Sequence, residues 1–250
     1  MDNNKTKILV LVEGAKTDVK LMEHLLTVYG INQSHQIVSY NTNIYDLYDH
    51  MFADGTPEDV DILQLLKERE RTPEKKAIFD EHYSDILLIF DLDPQDPRFS
   101  ADKIMQMVNY FVESSDMGKL YLNYPMVEAF YHMKSIPDEQ FNSYIATMKE
   151  LKSHEYKGRV IAENRNRNFG KFAVNKEECN TVINQNIDKA WLISEAQRLV
   201  NEMSAVYPDA SAILSKQLNK LEEDESLFVL CTCAFYIPDY NPKLIEPEEV

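Results

Sequence analysis

Two short stretches of the chain are apolar at every position. Residues 8–12 (Ile-Leu-Val-Leu-Val) and 86–90 (Ile-Leu-Leu-Ile-Phe) are too brief for buried helices and suit parallel strands covered on both faces. The first runs into Glu13-Gly14 and the second into Asp91-Leu92-Asp93-Pro94. Around them the apolar spacing becomes helical. Leu21, Leu25, Leu26 and Tyr29 share one face of a helix capped by Thr17 or Asp18 and closed by Gly30. Residues 35–40 read as a strand, and 44–51, 60–70 and 73–82 as helices, with Asp54-Gly55-Thr56-Pro57 as a turn. Pro94 and Pro97 stop the central strand because neither donates to a ladder, and Ser100 caps a helix over about 101–113. Residues 120–124 predict a fourth strand. Pro125 then opens a helix carrying Val127, Glu128, Phe130 and Tyr131. Strand alternating with helix predicts an α/β fold, a mainly parallel sheet flanked by helices.

From about Ser135 the pattern is mostly helical, broken at Gly158 and over 164–170. Helices are expected over 187–203 and 211–221, and a last apolar run, 227–236, predicts a late strand. We place a domain boundary near Ile136-Pro137, between an α/β domain (1–134) and a mostly helical C-terminal domain (135–250). Residues 246–249 form an acidic tail expected to fray.

Composition narrows the partners. The chain of 250 residues is 44% hydrophobic, enough for a sizeable core, and its formal net charge of -16 argues against coating nucleic acid or anionic membrane through a global basic surface. A local basic track is still compatible with that charge. The five apolar residues after Lys7 are too few for a signal-peptide core or a membrane span, so the expected location is cytoplasmic, with no membrane partner. Cys179, Cys231 and Cys233 offer neither a disulfide framework nor a zinc spacing, and read as buried thiols. Neither G-x-x-x-x-G-K-[ST] nor G-x-G-x-x-G occurs. His82 and His132 have no nucleophile at recognisable spacing and read as structural.

The candidate chemistry lies in acids at the strand ends. Alternation along a strand would turn Asp91 and Asp93 the same way, where two carboxylates repel unless a cation lies between them. Adjacent parallel strands, roughly 4.8 Å apart, would add Glu13. Oxygen-only ligands select Mg²⁺ or Mn²⁺, and such ions grip phosphate oxygens. Strand-end acids can also serve merely as helix caps.

Leu11-Val12-Glu13-Gly14 with Asp18, followed about 80 residues later by Leu88-Ile89-Phe90-Asp91-Leu92-Asp93, resembles the two signature motifs of the Toprim domain. Tyr124-Pro125-Met126-Val127-Glu128-Ala129-Phe130-Tyr131-His132 further resembles the Pro-x-x-Glu segment of stand-alone Toprim proteins of the RloB, abortive-infection and OLD type. The resemblance covers residues 7–134. It implies a compact parallel α/β fold, Glu13 as general acid/base, Asp91 and Asp93 as Mg²⁺ (or Mn²⁺) ligands, and Glu128 as a further acidic site residue. It also implies a nuclease of RNA or DNA acting as a toxic effector of bacterial antiviral defence, held in check by an ATPase partner. Many Toprim proteins extend the second motif to Asp-x-Asp-x-Asp. Here Gln95 holds the third place and Asp96 follows one residue late, as the candidate for an additional metal ligand.

The basic exception to the acidic chain is Lys152, Lys157, Arg159, Arg165, Arg167 and Lys171, a candidate phosphate-contacting track. A homodimer is compatible with the sequence. Two other readings remain open: an Asp-x-Asp phosphatase or sugar-nucleotide transferase, and a non-catalytic Toprim-like module that binds protein through its acidic surface.

Overall fold

The computed structural model describes residues 7–52, 61–115, 117–195 and 206–246. Strand β1 (Lys7–Val12) passes through α1 (Thr17–Val28) to β2 (His35–Ser39). Helices α2 (Ile44–Met51) and α3 (Ile62–Arg69) and the single turn α4 (Pro73–Lys76) lead to the central β3 (Tyr83–Asp91). Helix α5 (Ala101–Tyr110) and the two-residue β4 (Val112–Glu113) precede β5 (Gly118–Asn123). The five strands lie in the order β2-β1-β3-β5-β4, parallel except for β4. The fold is therefore α/β, with a mostly parallel sheet flanked by helices.

Both expected apolar runs are strands for the reason their composition implies. Ile8 to Val12 and Ile86 to Phe90 are buried throughout, because layers cover the sheet on both faces. Since β2 lies on one side of β1 and β3 on the other, the winding reverses between β1 and β3, and strand ends at such a reversal open a ligand crevice. Local caps also appear as expected. Ser100 accepts from Lys103 N at the start of α5, and Gly30 takes a φ of 68° after α1. Helix α1 itself begins without a side-chain cap from Thr17 or Asp18.

The second half contributes β6 (Ile145–Thr147), α6 (Met148–Lys152), α7 (Tyr156–Glu163), α8 (Lys176–Ser194), α9 (Ala210–Asp224), β7 (Ser226–Phe228) and α10 (Tyr236–Tyr240). Strands β6 and β7 form a separate antiparallel pair, and the Tyr124–Leu230 bridge ties this half to the end of β5. Apolar side chains of both halves merge in one core cluster.

Several expected elements differ. The run 227–236 is apolar because it is buried, but only its first residues pair in β7; it then turns as 3₁₀ over Cys233–Phe235. After Pro125 there is a buried 3₁₀ turn, Val127–Tyr131, rather than an α-helix. Helix α5 stops at Tyr110, and Val112–Glu113 is drawn into the sheet edge beside β5. The helix expected over 73–82 is one α turn followed by 3₁₀ over Ala77–Asp80. Gly158 lies within α7 rather than breaking it. Helix α8 starts at an Asn175 cap, earlier than expected. The turn 54–57, residue 60, residues 196–203 and the tail 247–249 lie outside the described residues. Among those described, no helix is long and apolar enough to cross a membrane.

Candidate functional site

Because β1 and β3 are adjacent and parallel, the acids that follow them arrive side by side. Glu13 N donates to Ile89 O at 3.0 Å, carrying the ladder one residue past β1, and Glu13 Oε2 accepts from Asp91 N at 3.1 Å. Asp91 closes β3 and is 8% exposed; its Oδ1 accepts from Asn123 Nδ2 at 3.2 Å. The register sets Asp91 opposite Asn123, so both side chains leave the same face of the sheet. Past Asp91 the backbone stays tied to the β5 side through Leu92 N to Asn123 O and Asp93 N to Pro125 O. Asp93 has a φ of 41°, a left-handed conformation that Asp tolerates better than most residues. The strand ends at Asp91, so strand alternation does not set the direction of Asp93, whose Oδ1 accepts from Gln95 Nε2 at 2.9 Å.

Three more acids complete the cluster. Glu128, on the buried 3₁₀ turn after β5, is 3% exposed and ion-paired with Lys157 of α7, whose Nζ also lies 3.4 Å from Thr17 Oγ1. Asp18, in the first turn of α1, is 6% exposed and its Oδ1 has no hydrogen-bond partner. Gly14 leaves room for it; a Cβ there would lie 2.6 Å from Asp18 Oδ2. Asp96 is differently placed. Its carboxylate accepts from Asn43 Nδ2 at 2.7 Å and Arg98 N at 2.8 Å, and Arg98 pairs with it.

Electrostatics separate these acids. Burial, then the Asp93 charge, pushes Glu13 up to about 8, against the opposing hydrogen bond from Asp91 N. Asp91 is raised well above its ordinary value by burial, then by Glu13, Asp18 and Asp93. Burial also raises Asp93 and Asp18, and Glu128 adds to both. For Asp96 burial acts upward too, but the hydrogen bonds and charge of Arg98 prevail and hold it below the carboxylate range. Charge on Asp96 is already matched, which weakens its candidacy as a metal ligand, while Glu13, Asp18, Asp91 and Asp93 repel one another.

Among the described residues, no three His, Cys, Asp or Glu side chains form a ready-made cation cage. The donor set nevertheless fits a hard cation. It is all oxygen, its members destabilise each other's charged forms, and Asp18 Oδ1 is a buried acceptor awaiting a partner.

The basic segment is dispersed. Lys157 enters the acidic site; Arg159 pairs with Glu150, and Arg165 with Glu178. Lys152, Arg167 and Lys171 are exposed. His132 is buried between Tyr156 OH and Glu163 Oε2, and burial lowers it to about 4, a neutral structural imidazole. Cys231 and Cys233 are fully buried thiols with sulfurs 3.3 Å apart. Sequence reasoning gave Asp18 only the role of a possible helix cap although it stood in the first motif, and it passed over Asn123. The available signal for Asn123 was a lone amide ending the apolar stretch 120–122. Nothing local links Lys157 to Glu128.

No family model, curated protein or solved structure matches the chain.

Proposed function

We propose that the protein is a divalent-metal-dependent nuclease of the Toprim type, cleaving phosphodiester bonds in RNA or DNA. One observation carries the reading: carboxylates from the ends of β1 and β3, at the winding reversal, are buried together, with pKa values raised by that burial and then by one another. Such an arrangement costs stability without a cation and gains it with one. Asp91, Asp93 and Asp18 would hold Mg²⁺ or Mn²⁺, with Glu13 beside them. Bound there, the ion supplies charge neutralisation at phosphate oxygens and a lowered pKa for water. Glu13 is the group suited to hold or move a proton, since burial and then the Asp93 charge push its carboxyl up to about 8. Lys157 keeps one positive charge at the edge of the acidic cluster, where an anionic backbone has to approach.

The role of antiviral effector restrained by an ATPase partner rests on the resemblance of the Glu13-Gly14 and Asp91-Leu92-Asp93 motifs. The phosphatase alternative needs Asp91 as an exposed, ionised nucleophile. Its 8% exposure weighs against the first of these.

The test is incubation of the protein with Mg²⁺ or Mn²⁺ and total tRNA, plasmid or single-stranded DNA, beside Asp91→Ala and Asp93→Ala. Cleavage by wild type alone supports the reading. Equal calorimetric affinity for Mn²⁺ in wild type and both variants would remove the assignment.

A further inference from the structure

Two buried asparagines hold the same short segment of the C-terminal half. Asn186 of α8 accepts from Cys231 N at 2.9 Å, and Asn123 of β5 accepts from Cys233 N at 3.2 Å. Both are 0% exposed, and both use the side-chain oxygen for this contact. They differ in the destination of the NH₂ group. Asn186 Nδ2 returns to Val182 O of its own helix at 2.9 Å, whereas Asn123 Nδ2 donates to Asp91 Oδ1 at 3.2 Å.

We infer that Asn123 is a positioning residue for the carboxylate site, orienting Asp91 through its amide while the backbone of Cys233 orients Asn123. The amide has one orientation that satisfies both neighbours. A backbone N–H only donates, so Oδ1 must face Cys233, and the NH₂ is left for an acid that accepts. With Oδ1 of Asp91 engaged by Asn123, the rotation of the carboxylate is restricted before any cation arrives. The segment 231–233 thereby becomes part of the site, although none of its side chains carries charge. The site at the end of the sheet is complete only when the C-terminal half is seated on that face. This inference rests on the metal-dependent reading above, since Asp91 is positioned for a cation.

The experiment is calorimetric titration of Mn²⁺ into the full chain as wild type, Asn123→Leu, Asn123→Ala and Asn186→Leu, with thermal unfolding of each. Loss of such an orienting contact weakens metal affinity about 10- to 100-fold, the loss expected for both Asn123 variants. Asn186→Leu removes only the contact to Cys231 N and leaves the Cys233 N–Asn123 and Asn123–Asp91 bonds in place, so it should lose thermal stability and bind Mn²⁺ close to wild type. The smaller Asn123→Ala serves where Asn123→Leu does not fold. Wild-type affinity in a folded Asn123 variant, or an equal loss in Asn186→Leu, overturns the positioning role while the metal reading stands. A wild-type protein that binds no Mn²⁺ overturns the metal reading, and this inference falls with it.

Discussion

The backbone N–H of Asp91 donates to Glu13 Oε2 at 3.1 Å, so one acid is anchored to the strand that presents another. The bond fixes the Glu13 carboxyl beside the end of β3 and partly offsets its burial. Burial and the Asp93 charge still prevail and lift Glu13 to about 8. The fold thus holds a proton that the unfolded chain would release.

That imbalance sets a pH dependence. A carboxyl raised from 4.5 unfolded to about 8 folded contributes its full stability below about pH 4.5 and loses it as pH rises through about 8. Asp18, Asp91 and Asp93 are raised as well and act in the same direction. Thermal unfolding in EDTA should therefore show a metal-free protein that weakens from mildly acidic to alkaline pH. Glu13→Gln should be the more stable protein on the alkaline side, by on the order of a few kcal/mol, since each tenfold change in proton affinity is worth about 1.4 kcal/mol. Added Mg²⁺ should restore the wild type more than the variant. Superimposable pH profiles for the two proteins in EDTA would show that Glu13 titrates normally.

The same substitution should act oppositely on chemistry. Glu13→Gln keeps the size of the side chain and an acceptor for Asp91 N, yet cannot exchange a proton. Single-turnover cleavage at saturating metal should slow by roughly 10²–10⁴ while nucleic-acid affinity is retained. A Glu13→Gln protein cleaving near the wild-type rate would refute the proton-transfer role.

Lys157 and Glu128 form a pair with one buried and one half-exposed member. Lys157→Met strips the counter-ion from a carboxylate that is 3% exposed, and should destabilise the metal-free protein by about 1–3 kcal/mol, discounted for the solvent exposure of the lysine. Glu128→Gln should recover most of that loss in the double variant, giving a favourable coupling energy in a denaturant-unfolding cycle. Additive single effects would mean that the pair contributes nothing.

The exposed cations of 164–171 should contribute unequally to nucleic-acid binding. Arg165 is engaged by Glu178, whereas Arg167 and Lys171 are free to meet phosphate. The joint change Arg167→Ala, Lys171→Ala should flatten the log-log salt dependence by roughly one unit per lost contact, and Arg165→Ala alone by clearly less. Equal slopes for the wild type and the joint variant would mark both cations as solvated surface.

What the sequence determined by itself was whatever depends on near neighbours or on burial from both faces. The runs 8–12 and 86–90 announced β1 and β3, because a doubly covered parallel strand needs an apolar residue at every position. Ser100 announced the start of α5, because a cap bonds to a backbone group three residues away. Glu13, Asp91 and Asp93 were legible as acids at the ends of apolar strands, Glu128 entered only through the resemblance, and Asp18 stood within the first motif. Tertiary structure decided the rest. An apolar run such as 227–236 shows that it will be buried, not whether a strand lies beside it, so only its first residues pair. Val112–Glu113 became a strand because β5 offered a free edge, which helical spacing cannot reveal. Lys157 reaches Glu128, and Cys233 reaches Asn123, only after the two halves have packed together. Such contacts leave no periodicity in the sequence, because each arises from the close approach of groups whose separation along the chain is arbitrary.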